Sequence, residues 1–284
     1  MAEITAAAVK SLRDRTGAGM MDCKKALQDA GGDEESAIDL LRQRGTANAA
    51  KRAARTASEG TVHIEERGGR VAMVEVITET DFVSRSEAFE DFARSAARHL
   101  FDLPVPEGEV LRGERVFDLE GGDALRAELD ELRVKVGENA QLGRAVRYDV
   151  AEGGVAGSYL HFGNRIGVLV EFAGAGVGEA ALDTAKGIAM HAAATNPVGL
   201  SPDDIPDEVV QRERAVLIEQ AKEAGKPPEI AEKMVDGRMR KFFEENALLW
   251  QPFVRDPDKK IKDLVSEAGA DASVRRFVRF EVGA

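Results

Sequence analysis

Along this chain the spacing of apolar residues passes from helical to alternating and back, twice in the same order. That pattern limits the fold more than any single motif does. Up to residue 45 the apolar positions recur every three or four residues. Ile4, Ala8 and Leu12 line one face, and Thr16-Gly17-Ala18-Gly19 breaks it. Met20, Cys23, Leu27 and Ala30 line a second face, ended by Gly31-Gly32. Asp33 is placed to cap a third helix that carries Ala37, Ile38 and Leu41 and stops at Gly45. Three helices this short make a module that is only marginally stable alone.

From Gly60 the period becomes two. Thr61 to Glu66 and Arg70 to Ile77 read as strands joined at Gly68-Gly69, a hairpin. Ser84 to Leu100 reads as a helix, with Ser84 and Glu87 at capping-box spacing and Phe89, Phe92, Ala93, Ala96 and Leu100 on one face. An irregular stretch begins at Pro104 and Pro106. Asp123 is then placed to cap a helix carrying Leu125, Leu129, Leu132 and Val136, ended by Gly137.

The same order returns. Strands are predicted over about 144–150, 155–162 and 165–172, then a helix with Ala181, Leu182, Ala185, Ala189 and Ala193. Leu160-His161-Phe162 echoes Val62-His63-Ile64. A hairpin followed by a helix, occurring twice, predicts two related α+β subdomains. Pro206 starts a long helix, and Gly225-Lys226-Pro227-Pro228 turns the chain into another, an antiparallel helical hairpin. Pro252 and Pro257 close that region. A short helix with Ile261, Leu264 and Val265 and a terminal strand through Val278, Phe280 and Val282 follow; that strand is expected in the second subdomain's sheet. The expected fold class is therefore α+β. Residues 1–55 form a three-helix module and linker, 56–140 a first core subdomain, and 141–284 a second, with the helical hairpin inserted at about 203–246.

Charge and composition narrow the function. The net charge is −12, and a chain that acidic repels nucleic-acid phosphates. Residues 1–56, with 10 basic and 8 acidic side chains, are the one net-positive part. Lys51, Arg52 and Arg55 lie there among alanines with no aromatic to stack on a base, so they read as a solvated linker. The single cysteine, Cys23, excludes an internal disulfide and a cysteine zinc site and fits a reducing compartment. No export signal and no apolar run near the roughly 20 residues of a membrane span is visible, so a cytoplasmic protein is expected.

Motifs for catalysis are missing. Gly174-Ala175-Gly176-Val177-Gly178 resembles a dinucleotide loop, but the third glycine falls one place early and Glu179 stands where a small residue is needed. His63, His99, His161 and His191 are too far apart in sequence to pair on a helix as metal ligands. His99 and His191 fall near helix ends, where a protonated ring suits the dipole. No enzyme activity, cofactor or metal is expected. The segment that stands out is Thr80-Asp81-Phe82-Val83, between a strand and a helix. By pattern alone, Phe82 or Val83 tucks under the helix start as a hydrophobic staple. The alternative is an aromatic held on a tight loop as a wedge for a partner.

Four stretches carry a resemblance to a known family. They are Val9-Lys10-Ser11-Leu12-Arg13 with Thr16 through Leu27; Thr80-Asp81-Phe82-Val83; Gly187-Ile188-Ala189-Met190-His191-Ala192-Ala193-Ala194; and Gly225-Lys226-Pro227 with Glu229 through Val235 and Gly237-Arg238-Met239. In these, and in their order, the chain resembles the elongation factor Ts family, nucleotide-exchange partners of the GTPase elongation factor Tu. The resemblance implies a ubiquitin-associated-like three-helix module, a two-part α+β core and a protruding antiparallel coiled coil. It implies that Thr80, Asp81, Phe82 and Val83 dislodge the partner's Mg²⁺, with Phe82 as the wedge. It also implies that Arg13, Met20 and Met21 touch the partner's nucleotide domain, and that His161 faces another of its domains. Some members carry a further C-terminal helical module; this sequence ends after the terminal strand, so their affinity does not carry over. Two other classes stay open at this point. One is an adaptor whose three-helix module docks peptides or ubiquitin-like domains; the other is an acid–base or nucleotide-using enzyme. A homodimer through the helical hairpin or an open sheet edge also stays open.

Overall fold

The computed structural model describes residues 4–52, 55–174, 179–225, 227–269 and 271–284. The chain divides into two units. One comprises the residues up to Asp149 with Phe162–Arg165 and Phe280–Ala284; the other comprises Val150–His161 and Ile166–Arg279.

In the first unit, α1 (Ala6–Thr16) starts where the Thr5 hydroxyl accepts the Ala8 N–H at 3.2 Å, and ends at Gly17, whose φ of 67° suits a residue without a Cβ. Helix α2 is Met20–Asp29 and α3 is Glu34–Arg52; Asp33 caps α3 by accepting the Ser36 N–H at 2.7 Å. Val9, Leu12, Cys23, Ala26, Leu27, Ala37 and Leu41 make the core of this module. Burial pushes the Cys23 thiol pKa up, so it is an inert packing group. The predicted stop at Gly45 is absent, because α3 runs on to Arg52. A glycine inside a helix costs only about 1 kcal/mol, and the alanine-rich residues after it favour continuation. Ala53 and Ala54, and the side chains of Lys51 and Arg52, lie outside the described residues.

Strands β1 (Glu59–Arg67) and β2 (Arg70–Thr78) form the expected hairpin. Then come α4 (Asp81–Ser84), α5 (Glu87–His99), β3 (Leu111–Arg112), α6 (Gly113–Phe117), α7 (Gly122–Val136) and β4 (Gln141–Asp149). The sheet order is β1-β2-β4-β3. Strand β4, expected to open the second subdomain, instead pairs antiparallel with β2, so the first unit runs to Asp149 and not to 140. Strand β2 is thus central, with β1 on one edge and β4 on the other, and the burial of Val71 through Val76 shows that both its faces are covered.

Ser84 and Glu87 do not form a capping box. Ser84 ends α4 and its hydroxyl donates to the Asp81 carbonyl at 3.1 Å, while the extended backbone of Ser86 separates α4 from α5. Asp123 lies in the first turn of α7, not at its cap; Gly121, at φ 86°, holds that place. Helix α5 packs Phe89, Phe92, Ala93, Ala96 and Leu100 into the main core, which α7 completes with Leu125, Leu129 and Leu132. The irregular stretch after α5 is tied to the sheet by Arg147, whose guanidinium donates to the carbonyls of Leu100, Leu103 and Val105 at 2.8, 2.9 and 3.2 Å. The buried Glu75 accepts two bonds from Arg144, at 2.7 and 2.9 Å.

The second unit contains β5 (Val155–Leu160), β6 (Ile166–Ala173), α8 (Glu179–Thr195), α9 (Asp207–Glu223), α10 (Pro228–Asn246), β7 (Pro252–Phe253), β8 (Asp256–Lys260), α11 (Ile261–Glu267) and, as far as Arg279, β9 (Ser273–Glu281). Its sheet order is β5-β6-β9, so the terminal strand joins the sheet expected for it. The small β7–β8 hairpin was not legible, since Pro252 and Pro257 read as breakers; prolines are tolerated in short edge strands. Glu171 on β6 is fully buried and is held by Arg275 at 3.2 Å and Arg276 at 2.6 Å. In the helical hairpin α9–α10, Leu217, Ala221, Val235 and Met239 are buried. Val209, Val216 and Ile230 on the same two helices are exposed, because one helix covers only one side of its neighbour. Residues 175–178 of the glycine turn and Lys226 lie outside the described residues.

Candidate partner-binding site

The turn between β2 and α5 is one contiguous device. Thr80 is extended, and its hydroxyl accepts the Val83 N–H at 3.4 Å, capping α4. Asp81 stands in the first turn, where a carboxylate suits the helix dipole, and pairs with Arg85 at 3.3 Å. Val83 packs against the main core and Ser84 is buried. The Ser86 hydroxyl donates to the Val83 carbonyl at 2.7 Å, closing the turn from the other side. Phe82, between these fixed neighbours, is 85% exposed. Of the two residues that the pattern offered for the inward place, Val83 takes it and Phe82 does not.

Arg13, Met20 and Met21 lie on α1 and α2 of the three-helix module. All three are exposed, Met20 at 56% and Met21 at 75%. Met20 was expected on the buried stripe. It opens α2, and the buried face is made by Cys23, Ala26 and Leu27 further along. His161 is exposed after β5; its Nδ1 lies 2.9 Å from the Tyr159 hydroxyl and its N–H donates to the Ile166 carbonyl. The structure thus gathers Thr80–Val83 into one turn and sets Arg13, Met20 and Met21 on the module. His161 belongs to the second unit.

Sequence reasoning missed two features. Phe162 is 96% exposed, although it read as a strand residue. The turn residues Gly163 and Asn164, at φ 81° and 55°, were the available signal. Glu138 was not singled out at all, yet its carboxylate touches Thr80 twice. His191 differs from expectation as well. It is fully buried on α8, its Nε2 lies 2.8 Å from Gln251 Oε1, its Nδ1 accepts the Val254 N–H at 3.3 Å, and burial lowers its pKa. The ring is neutral, and it packs the core of its unit instead of charging a helix end. His99 makes a contact of 2.8 Å with Glu128. Among the described residues no three His, Cys, Asp or Glu side chains are grouped to hold a metal ion, and no helix is long and apolar enough to cross a membrane.

Comparison with known proteins settles the family. A family model for elongation factor Ts matches residues 79–284. The chain is 46% identical over 282 residues to an elongation factor Ts of Alkalilimnicola ehrlichii and 47% identical to one of Thioalkalivibrio sulfidiphilus, each alignment covering 99% of this chain and 92% of the relative. It is 41% identical to an elongation factor Ts of Aquifex aeolicus, over 97% of this chain and 96% of that one. By class, the chain is a translation elongation factor. Within that class it belongs to the elongation factor Ts family.

Proposed function

We propose that this chain is a guanine-nucleotide exchange factor, without enzymatic chemistry of its own, that binds elongation factor Tu carrying GDP in the cytoplasm and loosens the nucleotide. The observation that carries the reading is the exposed ring of Phe82 between neighbours that are capped, packed or buried. Leaving a phenylalanine in water forgoes about 1.5–3 kcal/mol, which burial against a partner recovers. The ring enters the partner near its nucleotide site, and Asp81 contacts the partner beside it. The Mg²⁺ that neutralises the phosphates belongs to the partner and is lost from it. The factor need not touch GDP. It must bind the nucleotide-free state more tightly than the GDP state, and by linkage it weakens GDP by the ratio by which GDP weakens it.

Phe82 alone shifts that balance by about 30- to 150-fold at 2–3 kcal/mol. Contacts at Arg13, Met20 and Met21, and at His161, supply the remainder by anchoring the partner while the ring is driven in. Phe82→Ala should keep binding of GDP-loaded elongation factor Tu within about 10-fold, weaken binding of the nucleotide-free form by about 30- to 150-fold, and slow GDP release from the saturated complex by about 30-fold or more. Stopped-flow release of fluorescent GDP decides it: a wild-type rate from the saturated variant complex sinks the wedge. An adaptor of the three-helix class would accelerate no release at all.

A further inference from the structure

We propose that Glu138 is a positioning residue for exchange, its carboxylate fixing the turn that presents Phe82; this rests on the wedge reading above. The register of β2 and β4 ends with Ile77 opposite Gln141. Continued one, two and three places, it sets Ala140, Asn139 and Glu138 opposite Thr78, Glu79 and Thr80. Beyond that last backbone pair, side chains take over from the ladder. Glu79 Oε1 accepts the Asn139 N–H at 2.7 Å. Glu138 Oε2 accepts the Thr78 hydroxyl at 2.9 Å and the Thr80 N–H at 3.1 Å, and Oε1 accepts the Thr80 hydroxyl at 2.7 Å. The Asn139 side chain donates to the Arg55 carbonyl at 2.8 Å, so this crossing is braced from a second direction.

Thr80 Oγ1 is the link to the wedge. A hydroxyl has one hydrogen, and here Glu138 takes it. The oxygen's lone pairs are then free to accept the Val83 N–H, which is the cap of α4. Helix α4 has four residues, too few for its own hydrogen bonds to hold it. Its orientation, and with it the direction of Phe82, is imposed through Thr80. The three bonds to the Glu138 carboxylate are charge-assisted, the strong kind, whereas the cap from Thr80 to Val83 is a neutral bond of 3.4 Å. Gly137, in the left-handed region at φ 74°, ends α7 and turns the chain so that Glu138 meets Thr80.

The test is release of fluorescent GDP from saturated elongation factor Tu complexes of the full chain. Glu138→Ala and Glu138→Gln are each compared in wild-type and Phe82→Ala backgrounds. In the wild-type background Glu138→Ala should slow saturated release about 10-fold, with Glu138→Gln intermediate because it keeps one acceptor. In the Phe82→Ala background the same changes should alter release by less than about 2-fold, since the two residues act as one unit. Wild-type release from Glu138→Ala, or equal slowing in both backgrounds, overturns the proposal. Glu138→Gln, which keeps the side chain's shape, carries the comparison should Glu138→Ala not fold. If Phe82→Ala itself releases GDP at the wild-type rate, the wedge reading fails by itself. Glu138 is then judged in the free protein by amide hydrogen exchange: residues 80–86 should exchange about 10-fold faster in the variant while β2 is unchanged. Unaltered exchange at 80–86 overturns the positioning role.

Discussion

At the scale of single residues, the structure turns on which of two neighbours faces inward. Phe82 and Val83 are both apolar, and only Val83 packs on the core. Sequence could not choose between them, since one helical step rotates a side chain by about 100° and the zero of that rotation is set by Thr80. Thr80 is fixed by Glu138, which lies 58 residues away. His191 shows the same dependence. Its helix-end position suggested a charged ring, but Gln251, Val254 and Thr195 surround it with a network that fits only the neutral form: Nε2–H faces Gln251 Oε1, which also accepts the Thr195 hydroxyl at 3.0 Å, and Nδ1 accepts from Val254. Burial lowers the folded-state pKa, so the unfolded chain takes up a proton first as pH falls. The stability from this site is complete above the unfolded value near 6.5 and declines below it, by at most about 1.4 kcal/mol per pH unit. His191→Gln should lose about 1–3 kcal/mol at pH 7.5 and flatten that decline between pH 6.5 and 5.5. Urea unfolding at the two ends of the range measures both, and an unchanged slope refutes the assignment.

At the scale of elements, the two hairpin-plus-helix arrangements use different packing. Helix α5 lays Phe89 and Phe92 into its core. Helix α8 buries Ala181, Ala185, Ala189, Ala192 and Ala193, and small side chains let backbones approach closely. Gly157 on β5 shows how close: a Cβ added there would lie 2.4 Å from the Ala185 carbonyl carbon and 2.5 Å from the Lys186 nitrogen. Both are backbone atoms of α8, which cannot swing aside. Gly157→Ala should therefore destabilise by about 1–3 kcal/mol, through overpacking and not through backbone strain. A reduced urea midpoint with an unchanged slope is the expected result, and an unchanged midpoint would mean that α8 shifts freely. The alanine stripe was readable as a buried helix face. The glycine partnering it was not, because the two lie on different elements.

At the scale of the whole chain, the proposed function divides the parts into places that would hold a partner and a place that would act on it. Met20 and Met21 are exposed apolar side chains on a separate three-helix core, so their removal costs the fold little. The double change Met20→Ser, Met21→Ser should raise the concentration of this protein needed for half-maximal GDP release by about 10-fold or more, with the plateau rate nearly unchanged. Phe82→Ala should do the reverse. A titration of release against factor concentration separates them, and a lowered plateau in the methionine variant would place those residues in the lever instead of the grip.

Periodicity and glycine placement alone determined the kinds and order of most of the longer elements, the helical hairpin and the duplicated hairpin-plus-helix, because each rests on neighbours within a few residues. Four matching stretches were enough to point to the family. Only the tertiary structure decided that β4 belongs with β2, that His191 is neutral, that Met20 lies outside its stripe and that Phe82 stands in water. All but the place of Met20 depend on a group brought from far along the chain, and the free energy of burial or of a shared proton is a property of the assembled neighbourhood that no local pattern carries.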